Sequence, residues 1–306
     1  MTPRKRGGEH PEGEGTWERF SHGGRAYFVY TPAGLDVRAP APLLVMLHGC
    51  TQTAADLARS TRMNDVADRH AFVVAYPQQS GQHNKQGCWN WFLPGHQGRS
   101  AGEPAVIADI ARKVTAGDAG PAIDRDRVFL AGMSAGGAMA AILAATHPEL
   151  FAGLAVHSGL PYAAATSQEA AFEAMARGAR DGDGRLEVLG ATREPDRTMP
   201  TIVIHGSSDA IVSPVNGERL VEQWLAGNGL AAQDAHEVAR ERVVGGHAYT
   251  RSRWRDRRGR PVVEYLDVAG LGHAWSGGAA GAAWSDARGP DASAAMWEFF
   301  DAVGRD

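Results

Sequence analysis

Apolar residues in this chain fall into short, nearly unbroken runs, separated by stretches with helical spacing. The clearest runs cover residues 42–47, 72–76, 128–131, 151–157 and 201–206. Such runs predict strands buried on both faces, as in a parallel sheet. An earlier strand is predicted over 25–30, stopped by Thr31 and Pro32. Three more are predicted over 237–244, 249–254 and 262–268, the last two joined by the charged turn 256–260. Helices are predicted over 54–69, 103–115, 138–146, 167–177, 218–225 and 292–303. In the second of these, Val106, Ile107, Ile110 and Val114 recur at helical spacing. Strand and helix alternate down the chain, which argues for an α/β protein with a doubly wound, mostly parallel sheet and helices on both faces. Residues 78–102 predict a long loop, a length that in a compact domain usually serves function. Residues 160–200 are Ala-rich, then polar.

Composition narrows the classes. With 306 residues, 43% of them hydrophobic, the chain can bury a sizeable core. Residues 1–20 read as a disordered tail and residues 21–306 as one domain. A formal charge of -4 gives no sign of nucleic-acid binding. No run of about 18 apolar residues is present, so no membrane span is expected. Arg4, Lys5 and Arg6 are not followed by an apolar stretch, so no secretory signal is read here. The chain as it stands is expected to be cytoplasmic, or secreted if its N-terminus has been trimmed. Cys50 and Cys88 allow at most one intrachain disulfide. The histidines lack H-x-x-x-H spacing and the cysteines C-x-x-C spacing, so neither metal nor cofactor is expected.

The run 128–131 ends in Gly132-Met133-Ser134-Ala135-Gly136, a G-x-S-x-G pattern followed by an Ala-rich helical stretch. Strand, sharp turn and helix make this a candidate nucleophile elbow, with small residues on both sides of Ser134. Asp209 follows the run 201–206, at the strand end where open α/β sheets place their chemistry. It is the candidate acid that would orient a histidine. Three histidines lie beyond it: His236, His247 and His273. The order serine, acid, histidine wants the base between the last strand and the last helix, which selects His273 and leaves His247 as a structural or substrate-side residue. His48-Gly49 follows the buried run 42–47. The backbone N–H groups of Cys50 and Ala135 are the expected oxyanion donors, with His48 a structural histidine fixing the loop. Trp89 and Trp91, two apart in the long loop, either line a substrate groove or pack the loop onto the core. Trp275, beside His273, is a further substrate-side candidate.

The segments Leu47-His48-Gly49-Cys50-Thr51-Gln52, Cys88-Trp89-Asn90-Trp91-Phe92, Gly132 to Met139 and Gly272-His273-Ala274-Trp275-Ser276-Gly277-Gly278 together resemble the polyhydroxybutyrate depolymerase family of α/β-hydrolase esterases. The resemblance implies an α/β-hydrolase fold and hydrolysis of short hydroxyalkanoate esters through an acyl-enzyme. The group is similar to feruloyl and acetylxylan esterases, which are the alternative. A serine peptidase or a non-catalytic binding protein of the same fold ranks below them. The expected partner is a small ester or polyester oligomer. No polymer-adsorbing domain is evident, and the oligomeric state is not indicated. Cys50 and Cys88 both fall in the resembling motifs and flank proposed site elements, so a disulfide is expected between them.

Overall fold

The computed structural model describes residues 11, 13–36, 38–179, 198–234 and 237–304. Ten strands form one sheet in the order β1-β2-β4-β3-β5-β6-β7-β10-β9-β8. They are β1 (Thr16–His22), β2 (Arg25–Thr31), β3 (Ala41–Leu47), β4 (Val73–Pro77), β5 (Ile123–Met133), β6 (Gly153–His157), β7 (Thr201–Gly206), β8 (Glu237–Arg242), β9 (Ala248–Arg255) and β10 (Pro261–Val268). The six central strands, β4 through β10 in that order, run parallel. The pairs β1/β2 and β8/β9 are antiparallel margins.

The unbroken runs are explained by two cores. Along β3, Leu43, Val45 and Leu47 enter one hydrophobic cluster, while Leu44 and Met46 enter the other. A strand that alternates between two dry faces has no polar positions to show. Helices α3 (Gly102–Thr115), α4 (Ala135–Thr146), α5 (Gln168–Arg177) and α6 (Val215–Gly227) cover one face. Helices α1 (Ala54–Thr61), α2 (Met63–His70) and α7 (Ala292–Val303) cover the other. This is the doubly wound α/β arrangement expected. None of the described helices is long and apolar enough to cross a membrane.

Some expectations need correction. The helix expected over 54–69 is two helices, broken at Arg62, which adopts φ 54°. The hydroxyls of Ser60 and Thr61 both bond back to the Leu57 carbonyl, and such bonds compete with helix continuation. The tail expected over 1–20 does not reach residue 20, because β1 starts at Thr16 and pairs with β2 along its length. None of its residues is buried: Trp17 stacks on Phe28 on one face of the sheet and Phe20 on Tyr27 on the other. Two aromatics three apart among seven mostly exposed residues show no strand period. A two-residue parallel ladder, β11 (Trp275–Ser276) with β12 (Ser285–Asp286), is also new. The polar end of the insertion, residues 180–197, lies outside the described residues, as does His236.

Candidate active site

Strand β5 passes into α4 with Ser134 alone between them, held at φ 55° and ψ -122°. This is a backbone region that side chains other than hydrogen rarely occupy, and such strain collects at functional sites. The closeness of strand and helix explains the small neighbours. A Cβ on Gly132 would lie 2.3 Å from the Gly136 carbonyl oxygen, and one on Gly136 would lie 2.1 Å from that of Leu47. The Ser134 N–H donates to the His157 carbonyl at 2.9 Å. The serine thus caps a helix N-terminus, where negative charge is favoured.

Asp209 sits in the turn after β7, and His273 follows β10. His273 Nδ1 lies 2.7 Å from Asp209 Oδ2, and its Nε2 lies 3.0 Å from Ser134 Oγ. A carboxylate accepts, so the ring proton belongs on Nδ1, and Nε2 is left to accept from the serine hydroxyl. The other oxygen of Asp209 accepts from the Ile211 and Val212 N–H groups, at 3.0 and 2.8 Å. Burial works against ionisation of Asp209. Contacts from His205 and His273, the charge of His273 and the Val212 N–H outweigh it and hold the carboxyl below the usual carboxylate range. His205 is fully buried. Its Nε2–H donates to the Val212 carbonyl at 2.9 Å and lies 3.5 Å from Asp209 Oδ2.

The loop after β3 presses against the serine: a Cβ on Gly49 would lie 3.4 Å from Ser134 Cβ. Several bonds hold this loop. His48 Nδ1–H donates to the Gly49 carbonyl at 2.8 Å, and its Nε2 accepts from the Gln79 N–H at 3.0 Å. Burial lowers the His48 pKa from 6.5 to about 4, so the ring is neutral and can serve as that acceptor. Gln52 accepts from the Gly49 N–H at 2.8 Å, and the Trp89 indole N–H donates to the His48 carbonyl at 3.0 Å. Cys50 and Cys88 form a disulfide with Cα atoms 4.1 Å apart. Beneath the second loop lies a buried Arg25–Glu103 ion pair, and Gln79 bridges Glu103 to the Cys88 carbonyl.

Three substrate-side candidates are displaced from that role. Trp89 and Trp275 are 0% exposed and Trp91 is 4% exposed, so none presents a surface to a ligand. Their rings have better partners inside. Trp275 stacks on the buried His157, and its N–H reaches Ser293. Trp91 packs edge-on against Phe92. His247 pairs with Asp286 at 3.1 Å. The spacing argument missed His157 and His205, whose strand positions read as apolar-run termini. It also missed Trp284, which sits in a Gly- and Ala-rich stretch with no motif of its own. Among the described residues, no group of three or more His, Cys, Asp or Glu is placed to hold a metal ion.

A mostly parallel sheet with its candidate nucleophile on a strand-to-helix elbow, and its acid and histidine on later strand ends, is the α/β-hydrolase fold. The chain belongs to the family described as Esterase PHB depolymerase, whose sequence profile matches residues 25–244. Poly(3-hydroxyalkanoate) depolymerase C of Paucimonas lemoignei is 37% identical over 250 residues, covering 80% of this chain and 57% of that protein. The chain thus spans little more than half of that depolymerase's length. Feruloyl esterase B of Neurospora crassa is 30% identical over 259 residues, covering 80% of this chain and 82% of that protein. In three dimensions, the acetyl xylan esterase from Aspergillus awamori overlays with a TM-score of 0.75 at 20% identity, covering 94% of this chain and 99% of that one.

Proposed function

We propose that this chain is a serine carboxylic-ester hydrolase, with hydroxyalkanoate ester oligomers as its substrate class. The carrying observation is the continuous relay from Ser134 Oγ through His273 to Asp209, at 3.0 and 2.7 Å. His273 Nε2 takes the hydroxyl proton as Ser134 attacks the ester carbonyl. Asp209 holds the Nδ1–H tautomer and stabilises the imidazolium. The Cys50 and Ala135 N–H groups take the oxyanion, each donor being worth roughly 2.7–4 kcal/mol of barrier. The imidazolium returns its proton to the leaving alcohol, and water then repeats the cycle on the acyl-enzyme. The depolymerase relative supports hydroxyalkanoates. A second reading, feruloyl or acetylxylan ester hydrolysis, is favoured by the feruloyl esterase relative, which matches over most of its own length.

The test is one preparation assayed on hydroxybutyrate oligomers, feruloyl esters, acetylated xylan and amino-acid anilides, beside Ser134→Ala. Fastest turnover of the oligomers, with at least ~10⁴-fold loss in the variant, is expected. Preference for a feruloyl or acetyl ester moves the substrate to the second reading. Activity kept by Ser134→Ala overturns the mechanism.

A further inference from the structure

The segment beyond His273 carries a tryptophan that the mechanism above does not use. Trp284 is 39% exposed, one of the few large apolar side chains at the surface among the described residues. Its ring stands edge-to-face against His273, with centroids 6.0 Å apart and planes at 80°. Its backbone is at φ 57°, a left-handed conformation that a bulky residue holds only when its surroundings impose it. The imposition is visible. The Trp275 N–H donates to the Trp284 carbonyl at 2.7 Å, and the Gly277 N–H donates to Asp286 at 2.8 Å. The buried Trp275, stacked on His157, fixes this ladder from below. An indole on a backbone held by these bonds therefore stands partly in solvent beside the proposed base. Rigid, exposed aromatic rings carry binding energy at little entropic cost.

Chemistry tells which part of a substrate meets this ring. His273 Nε2 must come within hydrogen-bond reach of the leaving oxygen to protonate it. Whatever is attached to that oxygen emerges beside the imidazole, and so beside Trp284. The acyl carbonyl points the other way, to the loop after β3. We propose that Trp284 is the specificity-determining contact for the alcohol part of the ester. It selects alcohols with an extended apolar or C–H-rich face, including the next hydroxyacyl unit of an oligomer. The inference rests on the proposed Ser134–His273–Asp209 mechanism.

The test uses Trp284→Gly, since φ 57° suits glycine and the fold is kept, with Trp284→Phe as the conservative partner. One series of acetate esters varies the alcohol from methyl to butyl to benzyl, and a second varies the acyl chain with the alcohol held constant. Loss of kcat/KM in Trp284→Gly should grow with alcohol size, to about tenfold for benzyl acetate, while Trp284→Phe keeps most of the parent's slope. A second readout is the partition of the acyl-enzyme between water and added benzyl alcohol. There the alcohol proton passes to His273 Nε2 and on to Ser134 Oγ as the new ester leaves, the reverse of acylation. The share of benzyl ester formed should fall in Trp284→Gly. A phosphonate label at Ser134 in parent and variants controls for the underlying mechanism. Label at Ser134 with equal losses across the alcohol series, or losses that follow acyl length, overturns the role of Trp284 alone. Failure to label Ser134 in the parent overturns the mechanism and this role together.

Discussion

His205 Nε2 lies 3.5 Å from Asp209 Oδ2, so Asp209 stands between two histidine rings. His273 reaches toward the serine. His205 is tied to the Val212 carbonyl, and the Val212 N–H in turn holds the other carboxylate oxygen. His205 thus closes the turn that aims Asp209, as a positioning residue one step removed from the proposed chemistry. His205→Ala should lower kcat by up to about 100-fold, the scale of a misplaced catalytic group. His205→Gln keeps an N–H donor near the Nε2 position and should lose less. Rates and thermal midpoints of both variants check this. Equal activity in His205→Ala and parent would remove His205 from the site's support.

The backbone of Ser134 predicts a trade between stability and activity. At φ 55° and ψ -122°, alanine bears the same strain as serine and glycine does not. Ser134→Gly should be about 1 kcal/mol more stable than Ser134→Ala. Both should be inactive. Chemical denaturation of the pair measures the difference, and an alanine variant as stable as the glycine variant would show that the elbow stores no strain.

The Cys50–Cys88 bridge closes a separation of 38 residues. In the chain-entropy account this stabilises the fold by about 4 kcal/mol. It also ties the proposed oxyanion donor of Cys50 to the loop bearing Trp89. Cys88→Ser should therefore lower both the denaturation midpoint and kcat, with KM changed less, because the lost contact acts in the transition state. Thiol titration of the denatured, unreduced parent should find no free thiol. A Cys88→Ser variant with parental kcat would separate the bridge from the oxyanion loop.

Two buried histidines set an acid limit on stability. Burial lowers His48 from 6.5 to about 4. Burial, with the charges of His205 and His273, lowers His157 from 6.5 to about 3. The unfolded chain takes up these protons near pH 6.5 and the folded chain only well below. Their contribution is therefore complete above about pH 6.5 and is lost as pH falls toward 4. The loss is on the order of 3 kcal/mol from His48 alone. Asp209, also depressed, adds its loss at still lower pH. Unfolding free energies measured from about pH 7 down to pH 4 should fall at roughly 1.4 kcal/mol per unit for each histidine. A flat profile over that window would mean the rings are not buried in neutral form.

The order and type of most central elements, and the residues Ser134, Asp209 and His273 that the fold brings within hydrogen-bond reach of one another, were legible in the chain itself. The physical reason is local. A strand buried on both faces leaves an unbroken apolar run, and an elbow admits only small residues beside its serine. The ends of parallel strands then locate the acid and the histidine by their order alone. What the chain did not reveal depends on contacts between distant segments. Whether Trp89 and Trp275 face substrate or core is decided by partners such as His48 and His157, which no spacing along the chain specifies. The edge strand β1 was hidden because none of its residues is buried and its two aromatics point to opposite faces of the sheet. His205 and Trp284 acquire their places only when β7, β10 and the β11/β12 ladder converge on His273. Sequence determines which side chains stand at the elbow and the strand ends; the closing of the sheet decides which others stand beside them.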